Sequence, residues 1–285
     1  MINKKFGFSI LVGALVASLV AVVERTTLTA EAAPITYSAS GATATDIQAT
    51  VDAFRTDLGV LNANVAGSFA SGRREINWDG VPNSFSAPNL LPANFFNVNS
   101  PRGVVFSTPG TGFQVSANST SGTAIQFGNL NASYPGQFAT FSPERLFTAI
   151  GSNVVDVNFF VPGSTTPALT RGFGSVFTDV DTANTTSIQY FDALNNSLGT
   201  FFVPNFTGDE TLSFLGVSFD TSAVSRVRII SGNQALSASS TGDAVAMDDF
   251  IYAEPAAVPE PATMLLLGSG LIGLVGYGRK KFFKK

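Results

Sequence analysis

Two adjacent carboxylates are the most pointed chemistry in this chain. The run Ala246-Met247-Asp248-Asp249-Phe250-Ile251-Tyr252 is apolar except for its two acids. Successive side chains of a strand point to opposite faces, so one of Asp248 and Asp249 must face inward or lie at a sheet edge. A buried, uncompensated carboxylate is costly; a cation would compensate it, and so would an arginine or loop amides. A second pair, Asp179 and Asp181 in Phe177-Thr178-Asp179-Val180-Asp181, shares one face if the strand continues. That arrangement suits a calcium ion, or merely a solvated strand end. The third candidate is the charge-dense segment from Gly72 to Pro82, which carries the chain's single Trp. Trp78 offers a flat apolar face for stacking on a sugar, and Asn77 and Asp79 offer polar groups for its hydroxyls. Alternatively Trp78 plugs one end of the fold while Arg73 or Arg74 pairs with Glu75 or Asp79. A glycosidase pair needs its carboxyls ~5–9.5 Å apart. On one strand Glu75 and Asp79 would be ~13 Å apart, which is too far. No catalytic residue is assigned.

Composition narrows the classes. The chain has no His and no Cys. That removes the Ser-His-Asp triad, the imidazole base, thiol chemistry, disulfides and most zinc sites. Residues 33–258 carry seventeen Asp and Glu against eight Arg and no Lys, a net charge of −9. An acidic surface of this kind argues against nucleic acid, which needs a basic stripe, and suits the oxygen-loving calcium ion.

These residues must be positioned by a real core, because the chain has 26 Phe and most recur in short alternating runs. One helix is expected at about 45–58, with Ile47, Val51, Phe54 and Leu58 on one face, a Thr45–Gln48 capping box and Gly59 as its stop. From Gly103 to Ala253 the period is two and turn residues recur, which predicts about ten strands, Thr123–Phe127 among them. The expected fold is mostly β: one antiparallel, jelly-roll-like β-sandwich over 33–257. The Asp248-Asp249 strand resembles the terminal "IDD" strand of jelly-roll carbohydrate-binding modules. That resemblance implies an Asp helping to hold a structural calcium, although the companion ligands are not identifiable here.

The two ends read as addresses. Lys4 and Lys5 precede an apolar stretch, Phe6 to Val23, and then Ala30-Glu31-Ala32. This predicts a signal peptide over 1–32, handled by the export machinery and signal peptidase. At the other end, Val258-Pro259-Glu260-Pro261 precedes an uncharged stretch from 262 to 278, then Arg279, Lys280, Lys281, Lys284 and Lys285. The prolines keep their segment extended and remove two donors, a form suited to a protease cleft. The apolar stretch predicts a short transmembrane helix whose basic cap faces the cytoplasm. Taken in order, the three parts of 258–285 resemble the PEP-CTERM sorting signal. The resemblance implies bacterial export, transient anchoring in the inner membrane, cleavage by an exosortase near Pro259-Glu260-Pro261, and a final place at the cell surface or in extracellular polymer, often with exopolysaccharide. The expected function is therefore a non-enzymatic surface or matrix protein. A calcium-stabilised carbohydrate-binding module and a carboxylate-dependent glycan hydrolase or lyase are the alternatives.

Overall fold

The computed structural model describes residues 33–239 and 241–258. The expected signal peptide and the membrane helix at 262–278 lie outside the described residues. Among those described, no helix is long and apolar enough to cross a membrane.

The chain opens with β1 (Ile35–Gly41) and α1 (Ala44–Leu58), then β2 (Arg73–Ile76), a one-turn α2 (Phe95–Val98), β3 (Val104–Ser107) and β4 (Gly112–Val115). It continues through β5 (Phe147–Ile150), β6 (Val154–Phe159), β7 (Ala168–Leu169), β8 (Gly172–Thr178), β9 (Ser187–Phe191) and β10 (Ser197–Phe202). It closes with β11 (Leu212–Ser218), β12 (Arg226–Ile230), β13 (Ala246–Ala253) and β14 (Ala256–Ala257). Pairing is antiparallel throughout the two main sheets. One runs β1-β11-β8-β13-β5-β4 with β2 also on β13, and the other runs β10-β9-β12-β6-β3.

The two sheets share one core. Alternation places Val155, Val157, Ile188, Tyr190, Val227 and Ile229 from one sheet against Phe173, Phe177, Met247, Phe250 and Tyr252 from the other. Strands β8, β11 and β13 are buried along their whole length. Their second face is covered by α1, which lays Ile47, Val51, Phe54 and Leu58 on Val176, Leu212, Phe214 and Ile251. Small residues make that seat: a Cβ on Gly174 or Gly216 would stand 2.8 or 2.9 Å from the Phe54 ring. The predicted helical stripe is therefore the contact face. The box at its start lies two residues earlier than expected, with the Thr43 backbone N–H and hydroxyl both donating to Asp46 Oδ2 at 2.9 Å.

Five strands, β1, β2, β5, β7 and β14, were not anticipated, because segments of two to four residues and an exposed edge carry little periodicity. The strand expected at Thr123–Phe127 is a turn, with Gln126 and Phe127 at φ 46° and 61°. Phe127 is nonetheless buried, in a satellite cluster with Tyr134, Phe138 and Leu146. Its apolar character marks core membership rather than strand.

Candidate functional site

The Asp248-Asp249 pair interrupts β13 at a β-bulge. Met247 pairs with Phe177 but Phe250 pairs with Ser175, so three steps on β13 match two on β8. The opposite edge of β13 changes partner over the same interval, from β5 at Met247 to β2 at Phe250. Trp78 fills the gap: its Nε1 donates to the Asp248 carbonyl at 2.9 Å.

The bulge overrides the alternation expected of a strand. Both carboxylates reach one residue, Ser142, whose hydroxyl lies 3.2 Å from Asp248 Oδ1 and 2.6 Å from Asp249 Oδ1. Asp248 Oδ2 also accepts the Phe141 and Ser142 amides at 2.6 and 3.3 Å. Asp249 Oδ2 accepts from Arg55 Nη2 at 3.2 Å, and the same nitrogen holds Glu75 Oε2 at 3.0 Å. Arg55 Nε and Arg73 Nε both donate to Glu75 Oε1, at 3.0 and 2.6 Å. Burial, and then the charge of Asp249, push Asp248 well above the usual carboxylate range. Burial also raises Asp249, against the opposing pull of its Ser142 bond and the Arg55 charge. Asp248 is thus the more strongly raised of the pair, and Asp249 faces the Arg55 cation.

At β13 all four carboxylate oxygens have protein partners. Arg55 already supplies the cation, and Ser142 with two loop amides takes the other oxygens. Among the described residues no group of three acidic side chains is arranged to hold a metal. Sequence reading missed Arg55 and Ser142. Arg55 did leave a signal: it follows the buried Phe54 at the edge of the helical stripe, where a long side chain can lean over the sheet.

Asp179 and Asp181 lie past the end of β8, and the strand does not continue through them. Asp179 adopts φ 68° and is 7% exposed. Its Oδ1 is buried without a hydrogen-bond partner. Asp181 Oδ1 instead accepts the Gly208 amide at 2.8 Å, and its own amide donates to Asp243 Oδ1 at 3.1 Å. Burial, joined by the charges of Asp181, Asp209 and Asp243, raises Asp179 to about 7. No arginine is among the groups acting on it.

The Asn77-Trp78-Asp79 segment is a turn, with Trp78 at φ 67° and the Val81 amide on the Trp78 carbonyl at 2.9 Å. Trp78 is 1% exposed and stacks on Phe147 with centroids 4.1 Å apart and planes within 1°. Phe96 and Phe250 meet it edge-on at 5.4 and 5.0 Å. Its faces are therefore spent on the core, and the expectation that it stacks on a sugar is corrected on that ground. The turn also separates Glu75 from Asp79. Glu75 stays with Arg55 and Arg73, while Asp79 Oδ1 accepts the Glu144 and Arg145 amides at 2.8 and 3.1 Å. Asn77 remains exposed beside a cleft at this end of the sandwich.

The last described strand is β14, where Ala256 and Ala257 pair with Leu169 and Ala168 of β7, and Val258 N–H reaches the Pro167 carbonyl at 3.4 Å. Residues 257–281, starting inside that last strand, match the PEP-CTERM protein-sorting motif. The chain carries a PEP-CTERM sorting signal. A PEP-CTERM protein is exported and sorted, is recognised by an exosortase, and keeps a membrane-anchoring tail until it is processed. No curated protein matches the chain. One solved structure was found similar, the enzymatically active domain of bacteriophage CBA120 tailspike protein 4, at 12% identity. That match covers 62% of this chain and 22% of the tailspike chain, with a TM-score of 0.26, which is too low to bear on the fold or function of this PEP-CTERM protein.

Proposed function

We propose that the protein is a non-enzymatic cargo of the cell surface or extracellular matrix, associated with exopolysaccharide after its tail has been removed. The observation that carries this reading is the junction at 256–258. A sorting motif begins within the last strand of a folded, acidic β-domain. Two of the groups gathered in that domain serve its packing: Arg55 ties α1 to β2 and β13, and Trp78 closes the bulge. The connectivity supports the finer jelly-roll reading, since the chain crosses between the sheets at β8–β9, β10–β11, β11–β12 and β12–β13.

The test is mass spectrometry of the mature protein from cells and medium. The expected mature form begins after Ala32 and ends near Pro259-Glu260-Pro261. Secreted protein retaining an intact Lys285 terminus would overturn the sorting reading. Extraction of the protein from washed extracellular polymer tests the matrix assignment separately.

The unpartnered Asp179 Oδ1, among acids without an arginine, favours calcium as a second reading at Asp179 and Asp181. Backbone carbonyls would have to complete such a site. An unchanged melting midpoint on adding chelator would dismiss it.

A further inference from the structure

Seven of the eight arginines of the domain have an acidic neighbour. Arg55, Arg73, Arg74, Arg171, Arg226 and Arg228 each form an ion pair. Arg145 donates to the Ser116 carbonyl and to Asn83 Oδ1, both at 2.6 Å, with Asp79 and Glu144 close enough to act on it. Arg102 is the exception in having no acidic neighbour among the described residues; the missing ion pair and the unpartnered Nε it shares with Arg145. Among the described residues it forms no ion pair, its one side-chain bond goes to the Ser100 hydroxyl, and its buried Nε has no partner. The titratable groups nearest its guanidinium are the neutral phenol of Tyr252 and the like-charged Arg74. On a domain of net charge −9, a cation left without a carboxylate is unusual. It also carries a desolvation cost that an incoming anion would relieve.

Arg102 lines a cleft of about 360 Å³ between the 77–82 turn and the 95–102 segment. Phe85, Phe95 and Phe96 form an aromatic wall there, with neighbouring centroids 5.4 and 5.0 Å apart. The Arg102 guanidinium lies 5.1 Å from the Phe96 centroid. Asn77 and Asn99 stand exposed at the rim, and their side-chain amides hydrogen-bond to no described residue. The frame is fixed: the Arg102 amide donates to the Phe96 carbonyl at 2.8 Å, and Tyr252 Oη donates to the Arg102 carbonyl at 2.9 Å. An apolar wall, two free amides and one unspent guanidinium form a recognition set for a small hydroxylated ring bearing a carboxylate.

We propose that this cleft binds a carboxylate-bearing sugar, a uronic-acid unit of an acidic polysaccharide, with Arg102 taking the carboxylate. The volume lies at the small end of the ligand-cleft range of roughly 300–1,000 Å³ and suits one or two rings rather than a long chain segment. The choice of a polysaccharide as source rests on the matrix reading above, whereas the chemistry of the cleft does not.

The experiment is calorimetric titration of the full chain in mild detergent with a galacturonate trisaccharide, a neutral galactose trisaccharide and benzoate. The acidic trisaccharide is expected to saturate the protein. The neutral one should bind at least about tenfold more weakly, the worth of one hydrogen-bonded charge. Arg102→Gln should lose a similar factor, and Arg102→Lys should lie between it and the parent, because charge survives without the planar fork. Asn99→Ala should weaken binding without altering the melt. Ligand-free Arg102→Gln loses its Ser100 bond and its place over the Phe96 ring but no ion pair, so its midpoint should fall by less than about 4 °C. A larger fall would mark Arg102 as structural and overturn the proposal. So would unchanged binding by Arg102→Gln, equal binding of acidic and neutral sugars, or no saturable binding of the acidic one. Benzoate binding more tightly than the trisaccharide would overturn the sugar as ligand. The mature C-terminus is read by mass spectrometry and is independent of all these titrations, so failure at the cleft and failure of sorting are distinguishable.

Discussion

Replacing Asp179 with Asn should stabilise the domain at pH 8 and do much less at pH 5. In the folded chain Asp179 is raised to about 7 from an ordinary 3.8, first by burial and then by Asp181, Asp209 and Asp243. The native state therefore holds a proton that the unfolded chain gives up. Its contribution is complete below the unfolded pKa and is lost as pH rises through the folded one. From 3.8 to about 7 the difference corresponds to a ceiling of about 4 kcal/mol at about 1.4 kcal/mol per pKa unit. Between pH 5 and pH 8 about two of those units are in play, a ceiling of about 3 kcal/mol. Water and salt reach the neighbouring acids at this strand end, so about 1–2 kcal/mol is the expected difference. Asn keeps the shape, removes the charge, and tolerates the left-handed φ of 68° that this position requires. Thermal or urea unfolding of both proteins at fixed ionic strength gives the stability difference at each pH. For a domain of this size about 1–2 kcal/mol appears as roughly 2–8 °C in Tm. Taking the difference cancels the other titrating acids, Asp79, Asp248 and Asp249 among them. The same stability difference at pH 5 and pH 8 would refute the reasoning, because a purely steric effect has no pH dependence in that window.

Arg55→Met should cost about 2–4 kcal/mol, since it leaves Glu75 and the buried Asp249 without their shared cation, and Ser142→Ala alone should cost less; urea unfolding at pH 7 orders the two. Gly216→Ala should destabilise by about 1–3 kcal/mol, because the new methyl meets the Phe54 ring and lifts α1 from the sheet. The readout is a lowered melting midpoint, and Phe54→Leu in the same chain should recover part of the loss. Inserting six Gly/Ser residues between Ala256 and Ala257, just ahead of the motif at 257–281, should speed tail removal, because the β7–β14 pairing otherwise holds the chain against the domain up to the motif. The insert adds a reach of roughly 13 Å, and a pulse-chase of processing in cells measures it.

Legibility in the sequence followed the range of the physics. The helix over Ile47 to Leu58 was readable because a 3.6-residue stripe is local, and its faces needed no knowledge of the partner. Most long strands were readable for the same reason, as β8, β11 and β13 lie within the predicted segments. The capping box was displaced by two residues because Thr43 and Thr45 are equally suited by type, and the chain's entry from β1 chose between them. Thr123–Phe127 failed because its apolar residues serve a satellite cluster reached by turns.

The candidate sites were half legible. Residue type singled out Asp248, Asp249, Asp179 and Trp78. The partners of Asp248, Asp249 and Trp78 lie at 55, 142 and 147, separations over which a sequence carries no geometric information, and Asp179 Oδ1 has none. The sequence by itself determined the route of this protein: a proline-framed motif, an apolar stretch and a basic cap act through local chemistry that needs no fold. Only the tertiary structure decided what the body does with its charges. A one-residue bulge in β13 brings two acids to one serine and one arginine, and the same packing leaves Arg102 without a carboxylate beside an open cleft.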